Sequence, residues 1–287
     1  MAFLSLRQPI ETFNMHFLKF TWNPSEGLDL SFITIHYYSL MFVVAFVLGW
    51  FIMKKIFKRE GESQEKLDKL FVYMVVSLLV GARLGHVIFY QSELFLQDPI
   101  SVFLPFKTVP EFEYTGFRGL ASHGATIGGL IAMYYFSKKV LKKPMLWILD
   151  RIVIPVASGA IFVRIGNFIN SEIVGVPTNS DFGVVFAANG EDFARHPAQL
   201  YESFGYIFVF LLLWYIYFKT QKSEQRGFLF GLFFVSLFTV RMIAEHFKKS
   251  QGGFEETWGL LSTGQWLSIP FILIGLYFMI TSKKKMA

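Results

Sequence analysis

The sequence predicts an all-α integral membrane protein with seven transmembrane helices. Of its 287 residues, 53% are hydrophobic and only 17% are charged, and the mean hydropathy is +0.45. These values are too apolar for an ordinary soluble domain. The apolar residues also fall into separate runs, divided by charged connections, and about twenty residues are enough to cross a bilayer core. One large soluble core would not divide in this way.

Seven apolar runs are long enough to be spans, at 33–53, 70–90, 119–136, 145–163, 198–218, 228–247 and 262–280. They divide the chain into an extracytoplasmic or interfacial arm (1–32), a seven-helix transmembrane domain (33–280) and a basic tail (281–287). The arm shows no short apolar core with a small-residue cleavage site, so no removable signal peptide is expected. The connection 164–197 is expected to form a small extracytoplasmic cap, with extended structure around 183–186.

Basic residues in the connections predict the orientation. Lys and Arg number sixteen in 54–69, 137–144, 219–227 and the tail, against eight in the alternate set 1–32, 91–118, 164–197 and 248–261. Basic connections stay cytoplasmic, so the N-terminus is expected outside and the C-terminus in the cytoplasm. The net charge of +6 then reflects topology beside an anionic leaflet, and it does not indicate a nucleic-acid partner.

The chain contains no cysteine, which excludes disulfide scaffolds, thiolate nucleophiles and iron–sulfur ligation by its own residues. The metalloprotease pattern HExxH and the hydrolase pattern GxSxG are also absent from the sequence. No group of acidic residues is available to hold magnesium for phosphoryl chemistry. We therefore predict neither a metal nor a cofactor.

Charged residues inside spans are costly and need a partner or a function. Asp150 and Arg151 lie near the inner boundary of the fourth span, where a structural role is expected. Arg241, Glu245 and Lys248 share one helical face at the outer end of the sixth span. An Arg–Glu pair locking two helices would explain two of them, whereas a bound anion would explain the net positive charge of the row.

The fourth span ends in a second polar group. Arg164, Asn167 and Asn170 follow at helical spacing, and Gly175 comes shortly after. Helix termination explains the asparagines and the glycine, but it does not explain the arginine. An arginine fork suits a phosphate group.

Other candidates each have a structural alternative. His123 opens the third span among small residues that favour close helix packing, and it is either a hydrogen-bonded core residue or a base near neutral pKa. Arg83, within Gly81–His86, either supports packing or faces a cavity. Tyr38 belongs to an aromatic belt or to the site. The segment 195–202, which leads into the fifth span, either caps that helix or presents polar donors.

These cations, amides and phenols lie at one depth, near the outer leaflet. The combination suggests a lipid phosphate held by cations with a base nearby. A lipid or small-anion transporter using the same cationic row is the alternative, and a non-catalytic scaffold is a third. A transporter predicts polar residues that continue to the cytoplasmic side, whereas most of those named above lie outside.

The sequence resembles the prolipoprotein diacylglyceryl transferase family over about residues 33–275. The most specific match is Arg164-Ile165-Gly166-Asn167-Phe168-Ile169-Asn170, followed by Glu172 and Gly175. In matching order lie Tyr38–Met41, Gly81–Gly85, Ser122–Gly124, Arg195–Glu202, Arg241 with Glu245, and Gly264–Pro270. The sequence departs from the family pattern at Ser39, Ala125, Val163, Ser171 and Lys248.

The resemblance implies that the diacylglyceryl group of phosphatidylglycerol moves to the lipobox cysteine thiol of a prolipoprotein signal peptide, with release of glycerol phosphate. It places the chain in the bacterial cytoplasmic membrane as a multi-pass protein, with its active site toward the outer leaflet. Its partners are then the lipid bilayer, phosphatidylglycerol and the signal peptide. The reactive sulfur belongs to the substrate, in keeping with a chain that has no cysteine.

The resemblance also implies roles for individual residues. Arg164 and Arg241 are expected to hold the phosphate, and His123 to assist deprotonation of the thiol. Tyr38, Asn167 and Glu245 are expected to orient the site. Further substrate-binding residues are Arg83, Asn170, Gly175 and Lys248.

Overall fold

The computed structural model describes residues 20–30, 34–104, 106–114, 119–249, 259 and 261–282. Most of the predicted arm (1–19) and the end of the basic tail (283–287) lie outside these residues. The α-helices of the described part are α1 Tyr37–Glu60, α2 Gln64–Tyr90, α3 Leu94–Gln97, α4 Pro99–Phe103, α5 Ser122–Phe136, α6 Met145–Ile169, α7 Ala198–Lys219, α8 Phe228–Ala244 and α9 Thr263–Thr281. Its strands are β1 Phe20–Trp22, β2 Gly27–Asp29, β3 Thr34–His36, β4 Phe106–Lys107, β5 Glu113–Tyr114, β6 Val184–Phe186 and β7 Ala194–Arg195.

Six helices of the described residues are long and apolar enough to cross a membrane: α1, α2, α6, α7, α8 with its 3-10 extension to Phe247, and α9. The multi-pass membrane fold is therefore confirmed. The predicted span 119–136 differs, because α5 has 15 residues before a π-helical turn at Ser137–Leu141. At about 22 Å, α5 alone is shorter than a bilayer core. The helix starts later than predicted because Gly119 has a φ of +71°, so the seventh span stays a prediction.

Helices α2 and α5 pack through glycines at backbone distance. Gly81 and Gly85 of α2 face Gly124 and Gly128 of α5. A Cβ added to any of the four would come closer than 3.0 Å to backbone atoms of the other helix. The predicted close packing of small residues is therefore confirmed, and α2 and α5 form a pair beside the remaining helices.

The remaining long helices form a bundle in which α6 packs against α1, α7 and α8, and α9 packs against α8. One end of the bundle is joined by buried charges. Asp150 accepts hydrogen bonds from the backbone N–H of Gly227 (2.7 Å) and Phe230 (3.0 Å), which begin α8. Arg151 pairs with Glu60 at 2.8 Å. The structural role predicted for Asp150 and Arg151 is confirmed.

The opposite end of the bundle carries a small sheet of β1, β6 and β7. We call this sheet, together with the segment 170–197, the cap. Strand β6 pairs in parallel with β1 and antiparallel with β7. The extended structure predicted around residues 183–186 is thus confirmed, and the helical fold includes short strands at this end. The Trp22 indole N–H donates to the carbonyl of Phe168 at 3.1 Å, which ties β1 to the end of α6.

A backbone crossing at Gly175 joins the cap to the end of α8. The Gly175 N–H donates to the His196 carbonyl, and the Val176 N–H donates to the Phe247 carbonyl, both at 2.9 Å. Gly175 also forms an isolated β-bridge with Lys248. A Cβ at Gly175 would come closer than 3.0 Å to both carbonyl oxygens. Glycine is therefore required here because three backbone segments meet.

Candidate active site

A chain of buried charges lies where α6, α7 and α8 meet the cap. The guanidinium Nε of Arg164 lies 2.9 Å from one carboxylate oxygen of Glu202, and the Nζ of Lys248 lies 3.1 Å from the other. The same Nζ lies 3.0 Å from Glu245. The Glu202 side chain is 0% exposed, so it gives both cations a counter-charge where water cannot supply one.

Arg241 adds a third cation to this cluster. Its Nε is buried and has no hydrogen-bond partner within the described residues. With Arg164 and Lys248 against Glu202 and Glu245, the cluster carries one net positive charge. Within the row predicted from the sequence, the charge of Lys248 is met by Glu202 as well as by Glu245, and the surplus arises when Arg164 is counted with the row. A buried donor next to surplus positive charge suits an anionic ligand.

An amide network continues from Arg164 along the end of α6. The guanidinium donates to the Asn167 side-chain oxygen at 3.0 Å, and the Asn167 amide donates to Glu172 at 3.1 Å. Asn170 donates to the other oxygen of Glu172 at 3.0 Å. Tyr38 of α1 shares a side-chain hydrogen bond with Asn167. Asn167 is thus fixed from three sides, whereas Asn170 is exposed.

Two cavities meet at Arg164 and Arg241. The larger has a volume of about 740 Å³ and is mostly apolar, and it extends from Tyr38 and Asn167 to Met53 and Leu70. The smaller has a volume of about 100 Å³ and a more polar lining. Its walls are Arg164, Ile173, Arg241, Glu245, Lys248, Thr263, Gly264 and Leu267. The two arginines therefore face an apolar space and a polar space at once.

Ile173 lines both cavities and has an unusual backbone conformation. Its φ is +55°, as is that of Ser171 two residues earlier. For a β-branched residue this left-handed region is a genuine outlier, and such strain concentrates at functional sites. Gln199 donates a hydrogen bond to the Glu172 carbonyl between them. The strained turn thus places Ile173 at the boundary between the cavities.

The structure places two predicted residues away from this cluster. His123 is exposed, and its ring contacts Phe89 and Tyr90 at centroid distances of 5.1 and 6.2 Å. The neighbouring Ser122, instead, lines the larger cavity. Arg83 donates to the carbonyls of Ser101 (2.6 Å) and Val102 (3.1 Å) in α4, which is a structural contact.

Arg195, in the segment 195–202, supports the backbone of the cap and does not serve as one of the polar donors that the sequence suggested for a cavity. Arg195 is buried and donates to the Gly175 carbonyl at 3.2 Å. It also makes a bidentate pair with Glu191, and its hydrogen bonds lower the pKa of that carboxyl. Arg195 therefore holds the backbone crossing at Gly175 and lines neither of the two cavities described above.

Sequence reasoning missed Glu202, although the residue was in view within that segment. The signal was available, because a carboxylate about one turn into an apolar span needs a cation. Arg164 and Lys248 are the cations that satisfy it. Ile173 and Ser122 were missed as cavity residues because their positions depend on the turn after α6 and on the direction of α5.

Comparison with known proteins identifies the group to which this site belongs. A sequence profile of prolipoprotein diacylglyceryl transferases matches residues 27–281. The chain belongs to the prolipoprotein diacylglyceryl transferase family. A phosphatidylglycerol–prolipoprotein diacylglyceryl transferase of Tolumonas auensis is 42% identical, over 93% of this chain and 98% of the relative. Relatives of the same name from Chloroherpeton thalassium and Bacteroides fragilis are 37% and 36% identical, over 92% and 93% of this chain and 94% and 97% of their own.

The resemblance stated from the sequence motifs is thereby confirmed. The match extends over the six candidate spans, α5 and the segment 170–197 of the cap, so the arginine cluster and both cavities lie within the matched residues. The site of a prolipoprotein diacylglyceryl transferase must accommodate a lipid and a peptide thiol. A large apolar cavity with a cationic head fits the first of these substrates.

Proposed function

We propose that this protein transfers the diacylglyceryl group of phosphatidylglycerol to the cysteine thiol of a prolipoprotein lipobox, the first step of lipoprotein maturation. A bond forms between sulfur and the glyceryl carbon while the bond from that carbon to the phosphate oxygen breaks. The electron pair leaves with glycerol phosphate, and the thiol proton passes to a base. The observation that carries the proposal is a partly buried arginine pair at the head of an apolar cavity, in a chain of this family.

Arg164 and Arg241 hold the phosphate in this proposal. The leaving group gains negative charge as the carbon–oxygen bond breaks, and fixed cations in a water-poor site stabilise that charge more than water does. The acyl chains occupy the larger cavity, whose lining is apolar from Phe46 to Leu70. Tyr38 and Asn167 keep Arg164 in place. Glu245 and Lys248 provide the polar lining of the smaller cavity.

His123 assists deprotonation of the thiol from outside the arginine cluster. Its exposure at the start of α5 supports access by a peptide arriving from the bilayer or the cap side. Thiolate is the attacking species, and an unperturbed thiol has a pKa near 8.5. A neutral imidazole beside the peptide would raise the thiolate fraction at neutral pH.

The membrane arrangement is part of the proposal. The chain is a bacterial multi-pass membrane protein, and we place it in the cytoplasmic membrane with the cap end outside. The basic connections at 54–69, 137–144 and 219–227 support this orientation. Helix α5 with its π-turn would form a seventh span within the domain 33–280, between the arm 1–32 and the tail 281–287.

The test is a membrane assay with purified protein, phosphatidylglycerol and a lipobox peptide, read out as peptide mass. Arg164→Ala and Arg241→Ala are expected to lower the rate by about 100-fold or more, as does removal of a donor to a developing anion. Arg226→Ala, an exposed arginine before α8, is the matched control and should leave the rate unchanged. Full activity in either site variant would refute the phosphate assignment.

A further inference from the structure

The smaller cavity is a partly enclosed polar recess that shares the two arginines with the larger, apolar cavity. Because Arg164 and Arg241 line both spaces, a phosphate held between them has its two ester oxygens directed to different compartments. One ester leads to the diacylglyceryl group and requires the apolar space. The other leads to the headgroup and requires the recess.

The volume of the recess limits what that headgroup can be. At about 100 Å³, it is a few times the 30 Å³ or so that one water molecule occupies in the liquid. A small headgroup, such as a three-carbon group with two hydroxyls, suits this space. Ile173 and Leu267 offer apolar walls for the carbons of such a group.

The recess also contains a hydrogen-bond acceptor. The Glu245 side chain is 10% exposed, and its Oε2 has no hydrogen bond of good geometry within the described residues, although Lys248 Nζ lies 3.0 Å away. A carboxylate accepts hydrogen bonds and donates none. A further partner of this oxygen, beside Lys248, would therefore be a donor, and a ligand hydroxyl is such a group.

Gly264 gives the Glu245 carboxylate room to lie at the wall of the recess. A Cβ at this position would come closer than 3.0 Å to the carboxyl carbon and to both oxygens of Glu245. Gly264 lies in the first turn of α9, so the positive end of that helix also faces the recess. A side chain here would displace the carboxylate from its position in the recess.

The charges around the recess decide between a neutral and a cationic headgroup. The recess is lined by three cations, Arg164, Arg241 and Lys248, and by one carboxylate, that of Glu245. Glu202 pairs with Arg164 and Lys248 but is not part of the lining. An ammonium headgroup would lie among three cations and would compete with Lys248 for Glu245. An uncharged polyol meets no such repulsion.

We infer that the recess binds the glycerol headgroup of the phospholipid, with Glu245 accepting a hydrogen bond from a headgroup hydroxyl, and that this contact selects phosphatidylglycerol over other phospholipids. The inference rests on the proposed function and assigns the headgroup specificity to one side chain. The group bound in the recess becomes the leaving glycerol phosphate, so the same contact positions the bond that breaks.

The experiment compares two donors with the same acyl chains and the same charge, phosphatidylglycerol and phosphatidylpropanol, which lacks the hydroxyls. Wild-type protein is expected to prefer phosphatidylglycerol by about 10- to 100-fold in kcat/KM, the effect of one hydrogen bond to a charged acceptor. Glu245→Met should reduce this ratio toward one, because the acceptor is lost. Glu245→Gln, which keeps one acceptor oxygen, should give an intermediate ratio.

Glu202→Met is the matched control, because it removes the other carboxylate beside Lys248 and leaves the acceptor Glu245 in the recess. It is expected to lower the rate with both donors and to leave their ratio at the wild-type value. A second measurement needs no variant: glycerol 3-phosphate should inhibit the wild-type protein more strongly than propyl phosphate. Phosphatidylethanolamine should be the poorest donor.

Equal kcat/KM for the two donors in the wild-type protein, or equal inhibition by the two phosphates, would overturn the headgroup assignment. So would a Glu245→Met protein that keeps the wild-type ratio at lower activity, since that result assigns Glu245 a structural role. A wild-type protein that modifies the peptide with neither donor would instead overturn the proposed function itself. These outcomes separate the two proposals.

Discussion

Replacing Glu202 with glutamine tests whether the buried carboxylate holds the site cations in position. Glu202 is 0% exposed and lies 2.9 Å from Arg164 and 3.1 Å from Lys248. Its Oε1 also accepts a hydrogen bond from Tyr206 at 3.3 Å. Glutamine keeps the shape and one acceptor oxygen, but it leaves two buried cations short of one negative charge.

The size of the effect follows from these contacts. Removal of one partner of a buried ion pair costs about 3–5 kcal/mol, and the retained amide places this change near 3 kcal/mol. For a chain of this size each kcal/mol lowers the unfolding midpoint by about 2–4 °C. We therefore expect Glu202→Gln to unfold about 6–12 °C below the wild type in detergent. Transferase activity should fall at temperatures where the variant is still folded, because Arg164 is no longer fixed.

Glu65→Gln is the matched control for this experiment. It makes the same chemical change in an exposed pair with Lys69, four residues along α2, where solvent already screens the interaction. No resolved change in midpoint or activity is expected. If Glu202→Gln behaved like Glu65→Gln in both measurements, the cluster would not depend on its central carboxylate and the reasoning would be wrong.

Two further outcomes are expected. Gly175→Ala should lower the unfolding midpoint and the activity together, because its Cβ would meet two backbone carbonyls closer than 3.0 Å and overpacking costs about 1–3 kcal/mol. Gly129→Ala, where the nearest atom is a flexible leucine methyl at 3.4 Å, should be tolerated, and equal midpoints for the two variants would contradict the packing argument. Asp98 accepts hydrogen bonds from the Thr108 hydroxyl and N–H, which lower the pKa of its carboxyl. A lowered pKa contributes stability to the folded protein above about pH 4. That contribution is lost as the pH falls through the folded-state pKa. The difference in midpoint between wild type and Asp98→Asn should therefore shrink between pH 7 and pH 3, and a constant difference would exclude titration of Asp98 as its cause.

Six of the seven predicted spans could be found from the sequence because each is one long apolar run. The exception, α5, shows the limit of that method. Composition marks 119–136 as apolar, but Gly119 turns the chain before the helix starts, and hydropathy does not register backbone conformation. The glycine contacts between α2 and α5 were predictable because small residues at that spacing have one main use in a membrane.

The candidate site was predictable where a charge in an apolar run needed an explanation. Arg164, Arg241 and Lys248 emerged in this way, and the structure brings them together around shared carboxylates. Glu202 was overlooked because its cations lie 38 and 46 positions away in the sequence. The surroundings of His123 could not be predicted either, since they depend on which face of a short helix meets α2.

The backbone crossing at Gly175 has a consequence for protein engineering. Residues 174–176 exchange backbone hydrogen bonds with 196, 247 and 249. These bonds join the cap to the segment that carries Lys248. The cap is therefore not a transplantable module. A chimera that takes the cap from a relative should exchange 170–197 and 245–249 as one unit, because the donor's strand spacing and the host's lysine would otherwise be mismatched at the crossing.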